Sequence, residues 1–191
     1  MERHEGHTKA FRGLLISQFF GAFNDNAWKL LVLLLAIQVE ASRAGASGAG
    51  FEKLSQILAT TAFMAFTLPL ALFSLPAGLL ADRVSKRTVI LAMKGLEVLL
   101  MATGTAALWF YPSNWILLFV ILGCLGLQGA LFSPAKYGVL PEIVSHERLS
   151  AANGALEMWT FLAIIGGTAA GGVLLGITGG EPWLAGLMLT L

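Results

Sequence analysis

The stretch LLISQFFGAFNDNAWKLLVLLLAIQV, residues 14–39, decides how the rest of the chain is read. It is apolar and long enough to cross a bilayer, since ~20 residues of helix span ~30 Å of hydrocarbon. Yet Asp25 and Lys29 stand inside it, one helical turn apart. A charge at membrane depth costs roughly 2.5 to 3.5 kcal/mol on insertion scales, so it persists where it is paired or faces a polar cavity. The first helix is therefore expected to line something wet; the simpler reading is a structural pair in which Asp25 and Lys29 neutralise each other.

Four more stretches of the same kind follow, at 57–81, 89–110, 115–133 and 149–177, and a sixth begins at Pro182. With 57% hydrophobic residues and only 12% charged among 191, the composition excludes a soluble domain and predicts an all-α, multi-pass membrane protein. The sixth stretch runs from Pro182 to Leu191, ~15 Å of helix and about half a membrane. The expectation is a sixth helix cut short, in the opening portion of a longer protein.

Net charge is +1, which gives no bulk attraction to nucleic acid. Its distribution says more. Arg3, Lys9 and Arg12 precede the first span; Arg83, Lys86 and Arg87 separate the second from the third; Lys136 and Arg148 separate the fourth from the fifth. The alternate connections hold only Arg43 and Lys53, so the positive-inside rule makes the amino terminus cytoplasmic. The segment 41–50, rich in Gly, Ala and Ser, reads as a flexible external loop.

Cys124 is the single cysteine, so no intrachain disulfide can form. His4, His7 and His146 lie outside the spans with no nucleophile or metal-ligand set around them, so neither an enzyme nor a metal or other cofactor is expected. Gly123, Gly126 and Gly129 in the fourth span, and Gly167, Gly171, Gly172 and Gly176 in the fifth, recur every few residues, as where helix backbones approach closely.

The connection GLLADRVSKR, residues 78–87, resembles the signature of the major facilitator superfamily, with Gly78, Asp82, Arg83, Lys86 and Arg87 in register and Ser85 where glycine is usual. Gly78 would permit close helix approach, Asp82 would offer a carboxylate to a neighbouring helix amino terminus or cation, and the basic residues would fix topology. Three further segments narrow the resemblance: QFFGAFNDN at 18–26, SPAKYG at 133–138 and LSAANGALE at 149–157. Together they resemble the lysophospholipid transporter family, and the transporter domain fused to acyltransferases that reacylate lysophospholipids, over Gln18 to Gly172.

The resemblance implies the amino-terminal six-helix bundle of a major facilitator fold, in a carrier that moves lysophospholipid, chiefly lysophosphatidylethanolamine, across the bacterial inner membrane. It implies as partners the missing carboxy-terminal half and, in the fused form, an acyltransferase domain. A carrier of another small molecule is the alternative. By match of motif, Asp25, Lys136 and Glu157 are candidates for substrate handling or gating.

The residues taken by themselves agree. At ~100° per residue, Gln18, Asp25 and Lys29 project within about 40° of one another on the first helix. Asn153, Glu157 and Thr160 form a second polar stripe on the fifth. A zwitterionic headgroup needs an acceptor for its amine, which Asp25 or Glu157 could supply, and a donor for its phosphate, Lys29 or Lys136. Lys136, taken as just beyond the fourth span, also suits an interfacial anchor, and Glu157 a bundle tie. Lys94 and Glu97 form an i,i+3 pair on a third helix expected to be peripheral and structural.

Overall fold

In the computed structural model the residues described are 2–178 and 181–190, less the side chains of residues 2–8 and Asp82. The expectations for the side chains of Arg3, His4, His7 and Asp82 thus lie outside the described residues. The chain is a helical bundle: α1 (Glu2–Ala44), α2 (Gly48–Arg83), α3 (Lys86–Phe110), α4 (Trp115–Ile143), a 3-10 turn (His146–Arg148), α5 (Leu149–Ile177) and α6 (Pro182–Thr190). The first five are each long and apolar enough to span a membrane. This is a multi-pass membrane protein, as its composition predicts.

Two connections depart from the expected boundaries. The segment 41–50 is not an open loop, because α1 continues to Ala44 and α2 starts at Gly48. The reversal is made by Gly45 and Gly48, both at positive φ, 58° and 54°, a backbone region that costs L side chains steric strain. The fourth span does not end at Ser133. α4 runs through Pro134 and Pro141 to Ile143, since proline removes one ladder bond and a membrane leaves the remaining backbone groups no partner outside the helix.

The glycines decide which helices touch. α5 lies on α1 and α2 on α4. A Cβ at Gly167 would strike the carbonyl of Phe23, one at Gly171 that of Ala27, and one at Gly126 that of Phe66. Gly123 is a looser instance, its added Cβ falling 3.2 Å from the Ala65 carbonyl oxygen. The expected close approach thus holds in the middle of both helices. It fails at Gly78 and Gly176, where no heavy atom of the described residues lies within 4 Å of an added Cβ, so among the described residues neither glycine brings helices together.

The core between these contacts is apolar. Trp28, Leu31 and Val32 of α1 meet Leu118, Leu122 and Leu125 of α4 and Met101 and Leu108 of α3, all fully buried. The Trp28 indole enters the notch left by Gly104 on α3. α6 closes the far side, its Gly186 against Leu108 and Thr105, with Thr105 and Thr190 sharing a 3.0 Å hydroxyl hydrogen bond. Outward-facing Phe63, Leu68, Leu72, Leu75 and Leu79 leave α2 apolar on its exposed side, as a face in contact with lipid or another apolar surface requires.

Gly167→Val in the full-length protein should lower stability by about 1 to 3 kcal/mol, the usual range for overpacking, seen as a lower thermal midpoint in detergent. Gly176→Ala, with open space around it, should leave the midpoint unchanged; equal loss in both variants would contradict the packing described.

Candidate functional site

Asp25, Lys94, Glu97, Lys136 and Glu157 collect between α1, α3, α4 and α5, whereas Lys29 turns to α2. Asp25 and Lys29 do not pair: among the described residues no ion pair joins them. The Lys29 ammonium lies 4.0 Å from the Phe66 ring centre on α2 and donates to Asn26 Oδ1 at 3.3 Å. Asn26 in turn donates to the Ala22 carbonyl at 2.7 Å. Asp25 Oδ1 is buried and accepts no hydrogen bond from the described residues. Its electrostatic neighbours are Glu97, Lys94 and Lys29.

The third helix is therefore not peripheral in its charged part. Lys94 Nζ and Glu97 Oε2 are 2.7 Å apart, with side chains only 25% and 10% exposed. The pair sits against α1 where Gly21 leaves room: an added Cβ there would fall on Lys94 Nζ and within 3.1 Å of Glu97 Oε1. From the other side Gln128 of α4 donates to the Met93 carbonyl at 3.1 Å and to Glu97 Oε2 at 3.4 Å. Lys94 also lies 5.0 Å from the Phe132 ring centre. The glycine of QFFGAF and the glutamine in the apolar first half of α4 are the sequence signals for this junction. Both are single residues whose meaning depends on which helix lies opposite.

Extending α4 past Pro134 moves Lys136 from an interface into the bundle, where it is 6% exposed. It stands in electrostatic reach of Glu157 on α5 and Lys94 on α3. Glu157 accepts a short hydrogen bond from the Tyr137 hydroxyl, tying α4 to α5. Charged groups of both signs thus run from Asp25 through Lys94 and Glu97 to Lys136 and Glu157. Asn153, one turn before Glu157, is half-buried. Gln18, also buried, donates to Thr160 Oγ1 at 3.0 Å, and Thr160 donates to the Leu156 carbonyl. The two polar stripes meet there, as a clamp between α1 and α5.

Of the 78–87 segment, Lys86 makes a definite contact: its ammonium is 2.6 Å from Glu142 Oε1. Its stem crosses Gly138, where an added Cβ would come within 2.8 Å of Lys86 Cε. This joins the start of α3 to the end of α4 and gives SPAKYG a reason for its glycine. Arg83 and Arg87 are exposed. At the opposite end Glu40, which no motif in the sequence marks, accepts from Arg43 Nη1 at 2.7 Å and from the Trp115 indole at 2.8 Å, linking α1 to α4.

A bundle of spanning helices with ionic groups between them defines a multi-pass membrane protein. Residues 51–188 match the family described as transmembrane secretion effector, a branch of the major facilitator superfamily. The chain belongs to this family. It is also similar to proteins named lysophospholipid transporter LplT: 35% identical to that of Photorhabdus laumondii over 87% of this chain and 37% of the relative, and 34% identical to that of Yersinia pestis over 87% and 36%. It spans a little over a third of the length of these curated relatives. No solved structure matches it.

Breaking the interior pair alone should harm the fold. Lys94→Met should destabilise the full-length protein by about 3 kcal/mol, because it strands a buried carboxylate. Adding Glu97→Gln should recover most of that loss in denaturant or thermal unfolding; no recovery would contradict direct pairing.

Proposed function

We propose that this chain forms the amino-terminal half of a carrier that moves lysophospholipid, with lysophosphatidylethanolamine the leading substrate, across the bacterial inner membrane by alternating access. The observation that carries this reading is the buried Asp25 oxygen without a hydrogen-bond partner, beside cations already engaged elsewhere. A carboxylate at membrane depth needs a counter-group, and a substrate ammonium provides one. Lys29 and Lys136 are suited to the phosphate, Glu157 to the amine on the other side of the passage, and Gln18 and Asn153 to polar contacts along it. The relatives named lysophospholipid transporter support the substrate class.

A second half, rocking against this one, completes the passage in the account proposed here. Gly78, Asp82, Arg83, Lys86 and Arg87 belong to its conformational motif, with Lys86 on Glu142 as the tie inside this half and Gly78 left for a neighbour outside it. The amino terminus is on the cytoplasmic side, where the basic connections gather. Reading the coding sequence past Leu191 separates a dedicated carrier from one fused to an acyltransferase, which would bring a His-four-residues-Asp motif.

Asp25→Asn in the full-length protein should abolish uptake of labelled lysophosphatidylethanolamine into vesicles while leaving expression and the thermal midpoint near wild type. Unchanged uptake would remove Asp25 from the transport path. Absence of uptake by the wild type, with another solute carried, would reject the substrate.

A further inference from the structure

Lys94 lies near two carboxylates and serves one of them. Its ammonium is on Glu97 of its own helix, 2.7 Å from Oε2. The same ammonium rests against α1 at Gly21, in the space that a Cβ there would occupy. Asp25 is four residues further along α1, so it projects from the same face about 6 Å away. Side chains on a helix lean toward its amino-terminal end, which here is toward Gly21. The Asp25 Oδ1 atom is buried and accepts no hydrogen bond from the described residues, and Lys94 and Glu97 are both among its electrostatic neighbours. A flexible four-carbon stem lets a lysine carry its charge over such a distance while the backbone stays in place.

The other nearby lysines are held elsewhere. Lys29 is turned to Phe66 and Asn26, and the Lys136 ammonium lies 4.4 Å from the centre of the Tyr137 ring. Glu97 has a second donor for the moment its lysine leaves. The amide of Gln128, itself 3% exposed, is divided between the Met93 carbonyl at 3.1 Å and Glu97 Oε2 at 3.4 Å, so it can close on the carboxylate. We infer that Lys94 is a counter-ion shared by Glu97 and Asp25, and a positioning residue for the cationic group of the substrate. With Lys94 on Glu97, Asp25 is offered to the passage; with Lys94 on Asp25, an internal ammonium fills the site and the substrate has to displace it. The role in substrate binding rests on the carrier reading above, whereas the sharing of Lys94 does not.

A double-mutant cycle in the full-length protein tests the sharing without transport. Asp25→Asn alone should leave the thermal midpoint in detergent near wild type, since Lys94 stays on Glu97, and Glu97→Gln alone should cost little, since Lys94 moves to Asp25. Together they leave the ammonium buried without a carboxylate, and the midpoint should fall by about 5 °C beyond the sum of the single effects. Adding Lys94→Met should restore it; should the double variant not fold, the triple variant is expected to fold again. Additive single effects, or a triple variant that recovers nothing, would overturn the proposal. In uptake of labelled lysophosphatidylethanolamine, Glu97→Gln should raise KM about tenfold with kcat little changed, as when only a tenth of the molecules offer Asp25, and Lys94→Met should bring KM back down. An unchanged KM would overturn the positioning role. Additivity in the cycle with normal uptake rejects the shared lysine alone, whereas intact coupling in a protein that carries no lysophosphatidylethanolamine upholds the sharing and rejects the carrier reading.

Discussion

A charge cannot rest in hydrocarbon without a partner, and that constraint organises this bundle. Five helices carry enough apolar surface to lie in a membrane, and Asp25, Lys94, Glu97, Lys136 and Glu157 within them share one region of the bundle. Lys94 and Glu97 satisfy each other, Gln128 braces the carboxylate, and Gly21 supplies the space in which the pair meets α1. Asp25 stands next to them with an oxygen left over. A protein needing only to bury its ion pairs would have no use for that extra carboxylate; one that must offer a changing partner to a cationic group would.

Close helix packing is what permits this arrangement. Gly167 and Gly171 let α5 lie on the backbone of α1, and Gly126 does the same for α4 on α2. With the backbones so near, short polar groups such as Thr160 can reach across to Gln18. Tight contacts of small residues replace the hydrophobic driving force that lipid tails do not provide between helices. The same economy of side chains leaves α1, α4 and α5 near enough for Tyr137 and Glu157 to join two of them.

The spans were legible in the sequence because hydropathy and helical length are local properties, and each of the five expected stretches falls within a helix, though the helices run further. Family membership was legible because GLLADRVSKR lies at the right connection, and residues 51–188 bear it out. What sequence could not give was choice of partner across helices. Asp25 and Lys29 share a turn, yet the lysine turns to Phe66 on α2 and the aspartate to the α3 junction. The fourth span was expected to stop at Ser133, where the apolar run breaks, but the helix runs on through Pro134 to Ile143. Lys94 and Glu97 looked local, since i,i+3 spacing fits a surface pair equally well; Gly21 and Gln128, distant in sequence, make the pair interior.

The most direct test asks whether the Asp25 region is wet. Ala22, one turn before Asp25 on α1 and half-buried, would be replaced by cysteine in a full-length protein carrying Cys124→Ala, and exposed to a water-soluble, membrane-impermeant thiol reagent. The account predicts labelling far faster than at Phe63→Cys on the apolar face of α2, slowed when lysophosphatidylethanolamine is added. Labelling no faster than at the α2 position would mean that the charged interior is sealed and dry, contradicting the passage on which the carrier reading depends.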